Sequence, residues 1–421
     1  MAKVEKYKWH IDEDLPSIDD HSIIKLDIIE RYIEIYLSYL SKNCFYRNLK
    51  FTIVDGFSGG GLYKNNIFGS PIRIKNAIEN AKKIIAYERE INKCPPLTFN
   101  IDFKFIEKNK NTYNFLTKTL NDFNLCCDKT TCINGKFTTH IDTIINDIKS
   151  KSKKNGRSIF ILDQYGYKDA PIPIIRKIFL SLKKAEVILT FSIDSLIDYL
   201  TENNPKVLQN MGLTKEECER IFDEKADNDF SRSTIQPILY KTIVNQVGAP
   251  FYTPFFIKSD TSNRAYWLFH FSTHPTARDE MVKLHWEKQN TFIHYGKEGL
   301  NMLIGYGSSS RENLFNNHAY KFDDFAKEKS IHSLSSELPK LIYNYKEVSF
   351  ENLKNSILNE TPATVDIIKE SLADAMECGE IVIKSQDKVS KRMKYNSIKK
   401  DDILIWTGQR QLSLPFDFLT K

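Results

Sequence analysis

The sequence predicts an α/β protein: an open, mostly parallel sheet with helices on both faces, a hairpin closing it, and a small module of helices and a ribbon after it. Three observations carry this reading. Apolar, β-branched runs alternate with helical periodicity from residue 19 to 191; two strand-like runs then flank one short polar turn; and residues 346–421 read as helix, turn, helix and ribbon.

The first element is a helix at 19–41, DDHSIIKLDIIERYIEIYLSYL, in which Ile24, Ile28, Tyr32, Ile35 and Tyr39 recur at helical spacing and Asp19 or Asp20 can cap the start. Strands follow at 51–55, 101–106 (IDFKFI), 131–133, 158–162 (SIFIL) and 186–191 (EVILTF), with helical stretches between most of them. Parallel strands need long crossovers, so this alternation implies a parallel sheet buried on both faces. FYTPFFIKSD at 251–260 and AYWLFHFSTH at 265–274, joined by TSNR, read as a hairpin. Five parallel strands plus that hairpin fit the class I methyltransferase topology, a Rossmann-like seven-stranded sheet. Residues 1–290 are expected to form this domain, with a helical insertion at about 200–248. A helical connector is expected at 291–345 and a separate domain at 346–421.

Composition sets outer bounds. The chain has 421 residues, 41% hydrophobic and 27% charged, enough for a sizeable core and for two or three domains. It contains no apolar run long enough to span a bilayer, and its start, MAKVEKYKWHIDEDLP, has no hydrophobic signal region, so a cytoplasmic protein with no membrane partner is expected. Its seven cysteines are scattered without a CxxC pair and are expected to be reduced thiols. Cys126, Cys127 and Cys132 lie close in sequence but at the wrong spacing for the usual zinc sites, and no metal is expected.

The glycine-rich stretch FTIVDGFSGGGLY, residues 51–63, places four glycines within six positions after a strand. It fails the nicotinamide fingerprint, because Ser58 stands where counting from Gly56 requires glycine. It fails the phosphate loop, because no G-K-[ST] follows. What matches is acidic-x-[GF]-x-G-x-G, as Asp55, Phe57, Gly59 and Gly61, with Gly56 and Ser58 between them. Glycines allow close backbone approach and positive φ in a tight strand-to-helix turn, and the acid can accept from an amino group, a combination suited to S-adenosylmethionine. The bland alternative is a tight structural turn. In FKFIEKN, Glu107 ends a second strand with Lys108 beside it, where a carboxylate can accept from both ribose hydroxyls. Asp55 and Glu107 are 52 residues apart rather than about 20, so GSPIRIKNAIENAKKI and NKCPPL are expected to form an insertion.

The candidate catalytic stretch is IFILDQYGYKD. Asp163 ends the fourth strand, where open α/β sheets bind ligands, and Gln164 and Tyr165 follow. The arrangement resembles the D-P-P-[YF] site of amino methyltransferases, in which the acid accepts from an exocyclic amine and the aromatic stacks on the base; Gln164 and a lone Tyr165 depart from that pattern. Asp163 could instead cap the next helix or touch the cofactor. A cytosine C5 mechanism needs a nucleophilic cysteine, usually after proline, and no Pro-Cys dipeptide occurs. His274, in STHPTARDEM, is either a polar group at the active-site rim or a packing residue bonded to backbone.

In the last module SFENLKNSILN, TPATVDIIKESLADAMECGEI, VIKSQ and DILIW form a winged-helix pattern, with Thr361 as N-cap before Pro362 and Gly379 at a helix end. Its second helix carries more acids than bases and is a poor groove reader. Residues 384–400, KSQDKVSKRMKYNSIKK, hold seven Lys or Arg against one Asp, so Lys388, Lys391, Arg392 and Lys394 are the nucleic-acid candidates. Docking of a protein partner is the alternative, because the overall charge of +6 is modest.

Taken in order, HSIIKLDIIERYIEIYL, VDGFSGGGLY, GSP, FIEKN, LDQYGY and HPTARDEMVKLHW resemble the three-Cys-motif partner protein family over roughly residues 9–290. The resemblance implies a methyltransferase-like domain from bacterial mobile or phage-defence gene pairs, whose partner carries a three-cysteine iron-sulfur or radical-SAM-like motif. Two functions follow as expectations. The first is an S-adenosylmethionine-dependent methyltransferase acting on nucleic acid, with the amino group of a base favoured. The alternative is a non-catalytic sensor or scaffold for that partner.

Overall fold

The computed structural model describes residues 7–152, 156–164, 169–192, 196, 208–209, 211, 213–226, 231–258, 265–288, 298–300, 302, 322–387 and 389–408. The chain forms two compact units, Met1–His294 and Tyr295–Lys421. In the first, helix α1 (Asp20–Ser41) leads into strand β1 (Asn48–Asp55), a short ribbon of β2 (Leu62–Tyr63) and β3 (Ile67–Phe68), and helix α2 (Ser70–Ile91). Then come β4 (Thr98–Glu107), α3 (Lys110–Asp122), β5 (Thr130–Asn134), α4 (Phe137–Lys151), β6 (Ser158–Asp163), α5 (Ile172–Ser181) and β7 (Ala185–Phe191). Helices α6 (Lys215–Ala226) and α7 (Ser231–Val247) precede the hairpin strands β8 (Phe251–Lys258) and β9 (Ala265–Ser272), and α8 (Pro275–Glu287) ends the series.

Among the described residues the sheet has seven strands in the order β5-β4-β1-β6-β7-β9-β8. Strands β1, β4, β5, β6 and β7 pair in parallel, while β9 runs antiparallel to both β7 and β8. This is the class I methyltransferase topology expected from sequence. The central strands read as continuous apolar runs because both faces are covered: β7 is buried throughout and β6 up to its last residue, whereas edge strand β5 is only half-buried. On one face Ile29, Tyr32, Ile33 and Leu37 of α1 and Ile74, Ile78 and Ile85 of α2 pack over Phe51, Ile53, Phe103 and Phe105. Each such side chain contributes about 1.5–3 kcal/mol by leaving water.

Three local expectations change. Ile24 and Tyr39 of α1 are exposed, and the buried face is centred on Lys25, Ile29, Tyr32 and Tyr36, a step around the helix from the predicted stripe. The 52-residue gap between Asp55 and Glu107 is the ordinary crossover made long: a ribbon followed by the 22-residue helix α2. The cysteines are not all reduced, since Cys44 and Cys94 are joined with Cα atoms 5.1 Å apart. Buried Arg89 brings their loops together by donating to the carbonyls of Ser41 and Tyr46 on one side and Pro95 on the other.

In the second unit, α9 (Asp324–Tyr345) precedes β10 (Glu347–Ser349), α10 (Phe350–Ile357), α11 (Val365–Glu370), α12 (Ala373–Glu377), β11 (Ile381–Lys384) and β12 (Ile403–Trp406). The expected two-stranded ribbon is three-stranded, because β10 adds to β12 opposite β11. The expected cap moves by three residues: Thr364 accepts from the Ile367 amide, while Thr361 accepts from the Ala363 amide in a turn before the helix. Gly379, at φ 75°, follows the end of α12 as a left-handed helix stop.

Candidate functional site

Adjacent parallel strands bring three carboxylates to one end of the sheet. Asp55 of β1 is level with Phe105 of β4 and Ile161 of β6, so Glu107 and Asp163 each project two residues beyond it. Register thus puts Asp55 behind the wall and the other two acids on it. The cavity above them has a volume of about 640 Å³ and is walled by Phe57, Ser58, Gly59, Glu107, Asp163 and Gln164 among others. That size is typical of small-molecule sites, and the carboxyl ends of parallel strands are where such sheets bind ligands.

The glycine turn is locked to β4. Ser58 N–H donates to the Ile106 carbonyl at 3.0 Å, and its hydroxyl accepts from the Ile106 amide at 3.1 Å. Glu107 Oε2 accepts the Gly59 amide at 3.1 Å, and its Oε1 accepts the Asn109 amide at 2.8 Å. Gly59 and Gly61 have φ of +60° and +81°, conformations that side chains resist. A Cβ on Gly56 would meet Leu162 and Phe137, and one on Gly60 would run into the Trp9 indole. Trp9, whose Nε1 donates to the Leu62 carbonyl at 2.6 Å, forms an aromatic cluster with Tyr7 and Tyr63 at this edge of the cavity.

Asp55 is only 1% exposed; its Oδ2 accepts from the Ser70 hydroxyl at 2.6 Å and its Oδ1 from the Phe57 amide at 3.2 Å. Burial pushes its carboxyl up to about 7, against the pull of those two bonds, and the negative charges of Asp163 and Glu107 push the same way. Ser70, not Asp55, forms the cavity surface at this point.

On the β6 side Asp163 is ion-paired: Lys25 of α1, itself buried, places its Nζ 2.6 Å from Asp163 Oδ1. Gln164 is buried, and its Oε1 accepts the Asp169 and Ala170 amides at 3.0 and 2.9 Å. Its Nε2, buried as well, has no hydrogen-bond partner among the described residues. Lys108 stands at the mouth, 3.8 Å from Asp169. Tyr165 lies outside the described residues, and so does Lys388.

His274 is not at the rim. Strand β9 runs antiparallel, with Ser272 beside Glu186 at the start of β7, so the chain leaves the sheet at the end opposite Asp163. There His274 caps α8, its Nδ1 accepting from the Thr276 amide at 3.2 Å. In the second unit Lys391 and Lys394 are exposed, but Arg392 is bound bidentately to buried Asp402 at 2.7 and 2.9 Å. Burial alone would raise the Asp402 carboxyl, but the Arg392 bonds and the Lys399 amide hold it below its usual range. Arg392 therefore fastens the wing, while Lys391 and Lys394 stand exposed on it.

Sequence reasoning missed Lys25 and Trp9. Lys25 had a signal: it precedes Ile28 and Ile29 by three and four residues, which puts an ammonium on the buried face of a packing helix. Trp9 had almost none, beyond a large aromatic near the start of the chain and glycines bare enough to receive it.

A model of the GMT-like wHTH domain family matches residues 309–388, consistent with the winged-helix sheet and helices of the second unit. No curated protein matches the chain. Among solved structures, a candidate S-adenosyl-L-methionine-dependent methyltransferase from Methanococcus maripaludis aligns at 12% identity over 62% of this chain and 97% of its own, with a TM-score of 0.25. A likeness at that score carries no weight here, and the fold stands on strand order and direction. No described helix is long and apolar enough to cross a membrane.

Proposed function

We propose that this chain is an S-adenosylmethionine-dependent methyltransferase acting on nucleic acid. The observation that carries the reading is the convergence of the Glu107-locked glycine turn and Asp163 on one cavity at the carboxyl ends of β1, β4 and β6. The residues fit the cofactor. Glu107 lines the cavity at the end of β4, where a carboxylate can accept from ribose hydroxyls, and the positive-φ glycines leave backbone bare beside it. The cofactor would supply an electrophilic methyl group. This chain's own residues would bind it through Glu107 and the turn, orient the acceptor at Asp163, and exclude water beneath Tyr7, Trp9 and Tyr63.

Nucleic acid as substrate rests on the winged-helix unit with its exposed Lys391 and Lys394. A three-Cys-motif partner and a mobile-element or defence context rest on the sequence resemblance. Likeness of residues 163–165 to the D-P-P-[YF] site favours the amino group of a base as acceptor, and Asp163 could accept from it; Gln164 and a lone Tyr165 depart from that pattern. One observation favours the rival, a non-catalytic sensor or scaffold: the Gln164 amide oxygen is committed to holding the loop at Asp169 and Ala170.

Calorimetry with S-adenosylmethionine and its demethylated product, followed by incubation with methyl-labelled cofactor and DNA or RNA, with and without the partner, tests the reading. Asp163→Asn should keep cofactor affinity within a few-fold while methyl transfer falls by about 100-fold or more, the range for a positioned polar catalyst. Loss of cofactor binding in that variant would move Asp163 into the cofactor pocket. Full retention of transfer would make the β6 terminus structural.

A further inference from the structure

The acceptor class is written in the pairing of Lys25 with Asp163. Both side chains line the cavity, the ammonium nitrogen lies 2.6 Å from the carboxylate, and the two come from elements 138 residues apart in sequence. A lone carboxylate suits an exocyclic amine, whose N–H groups it accepts. An ammonium beside it does not, because the amine has a single nitrogen lone pair and methyl transfer requires that pair. A hydroxyl differs: it donates its one proton to the carboxylate and has two lone pairs, one to accept from the ammonium and one to attack. One charged donor and one charged acceptor side by side at the cavity wall complement a hydroxyl oxygen.

We propose that Lys25 and Asp163 together hold a hydroxyl, and that the acceptor in nucleic acid is the ribose 2′-hydroxyl of RNA. The proposal rests on the methyltransferase reading above and deepens it. In the step, the hydroxyl oxygen forms a bond to the methyl carbon as the carbon–sulfur bond breaks with its electron pair remaining on sulfur. The hydroxyl proton passes to the Asp163 carboxylate and from there to water. Lys25 stays protonated throughout, fixing the oxygen by charge-assisted hydrogen bonding. The 2′-hydroxyl, both donor and acceptor, is the group that separates RNA from DNA at a site.

The test uses the full chain, with its partner if turnover needs one. Labelled RNA and DNA are digested to nucleosides; the expected product is a 2′-O-methyl nucleoside from RNA and none from DNA. Label on a base nitrogen overturns this proposal while leaving the methyltransferase reading intact, whereas failure to bind either S-adenosylmethionine or its demethylated product overturns both. A binding readout stands beside activity. Fluorescence anisotropy with an RNA oligonucleotide and the same oligonucleotide carrying one 2′-deoxy substitution at the modified nucleotide should differ by about 10- to 100-fold for the wild-type chain, the scale of a hydrogen bond to a charged group. Where no nucleotide is labelled, the deoxy substitution is walked along the oligonucleotide, and equal affinities at every position overturn the proposal. Lys25→Gln should abolish that difference while keeping affinity for the demethylated cofactor within about three-fold, a mere 0.7 kcal/mol or so. Lys25→Arg, which keeps the charge, should restore part of the difference. Collapse of cofactor affinity in both variants would assign Lys25 to the cofactor and sink the idea.

Discussion

The Gly59 amide donates to Glu107 Oε2 at 3.1 Å, so the residue expected to hold the cofactor ribose also holds the turn that would face the cofactor. The same carboxylate anchors Asn109, which caps α3 by accepting from the Asn111 and Thr112 amides. One side chain thus couples the ends of β1 and β4 and the start of the next helix.

Glu107→Ala should therefore weaken S-adenosylmethionine binding by about 1.5–3 kcal/mol through lost charged hydrogen bonds and a loosened turn. Glu107→Gln, which keeps one acceptor oxygen and the shape, should lose less. Calorimetry on both variants decides: equal losses would mean that charge alone matters, and unchanged affinity would remove Glu107 from the site.

Gly60→Ala places a methyl group against the Trp9 indole. Overpacking of this kind costs about 1–3 kcal/mol, so urea unfolding should shift and Trp9 fluorescence should report a displaced ring. In a Trp9→Ala background, itself destabilised by loss of a buried ring, Gly60→Ala should add little further cost. An equal cost of Gly60→Ala with and without Trp9 would place the strain elsewhere in the turn.

The Asp55 carboxyl, pushed by burial up to about 7 from an ordinary value of 3.8, holds its proton more tightly in the folded chain than in the unfolded one. Its contribution to stability is fully present below about pH 4 and is lost as pH rises through about 7. The stability difference between wild type and Asp55→Asn should accordingly move in the variant's favour between pH 5 and pH 8. Parallel stability curves for the two proteins would show that Asp55 is already ionised at the lower pH.

On the wing, Lys391→Gln with Lys394→Gln should flatten the salt dependence of nucleic-acid binding by about two units, one per phosphate contact. Arg392→Gln should act differently, lowering the unfolding temperature because it strands the buried Asp402 carboxylate, with little change in the salt slope at temperatures where the unit stays folded. A slope change as large for Arg392→Gln as for the lysines would reverse that division of labour.

The sequence by itself determined the strands, their alternation with helices and the glycine turn. Such features are local: periodicity marks a buried strand or helix face, and bare backbone marks a turn that side chains would strain. Even the positions of Glu107 and Asp163 were legible, since a carboxylate closing an apolar run must fall where the strand ends. Pairings between distant segments were decided only by the tertiary structure. Lys25 reaches Asp163 because α1 packs beside the end of β6, and Trp9 covers Gly60 because the N-terminal segment folds over the turn. His274 lies at the opposite end of the sheet because β9 runs against its neighbours, a direction its own residues do not encode. Arg392 meets Asp402 because the wing closes on β12, and a run of basic residues looks the same in sequence whether its charges face water or a buried acid. Local patterns specify which face of an element is apolar; which polar groups then meet is settled by packing, where an unpaired buried charge costs too much to remain.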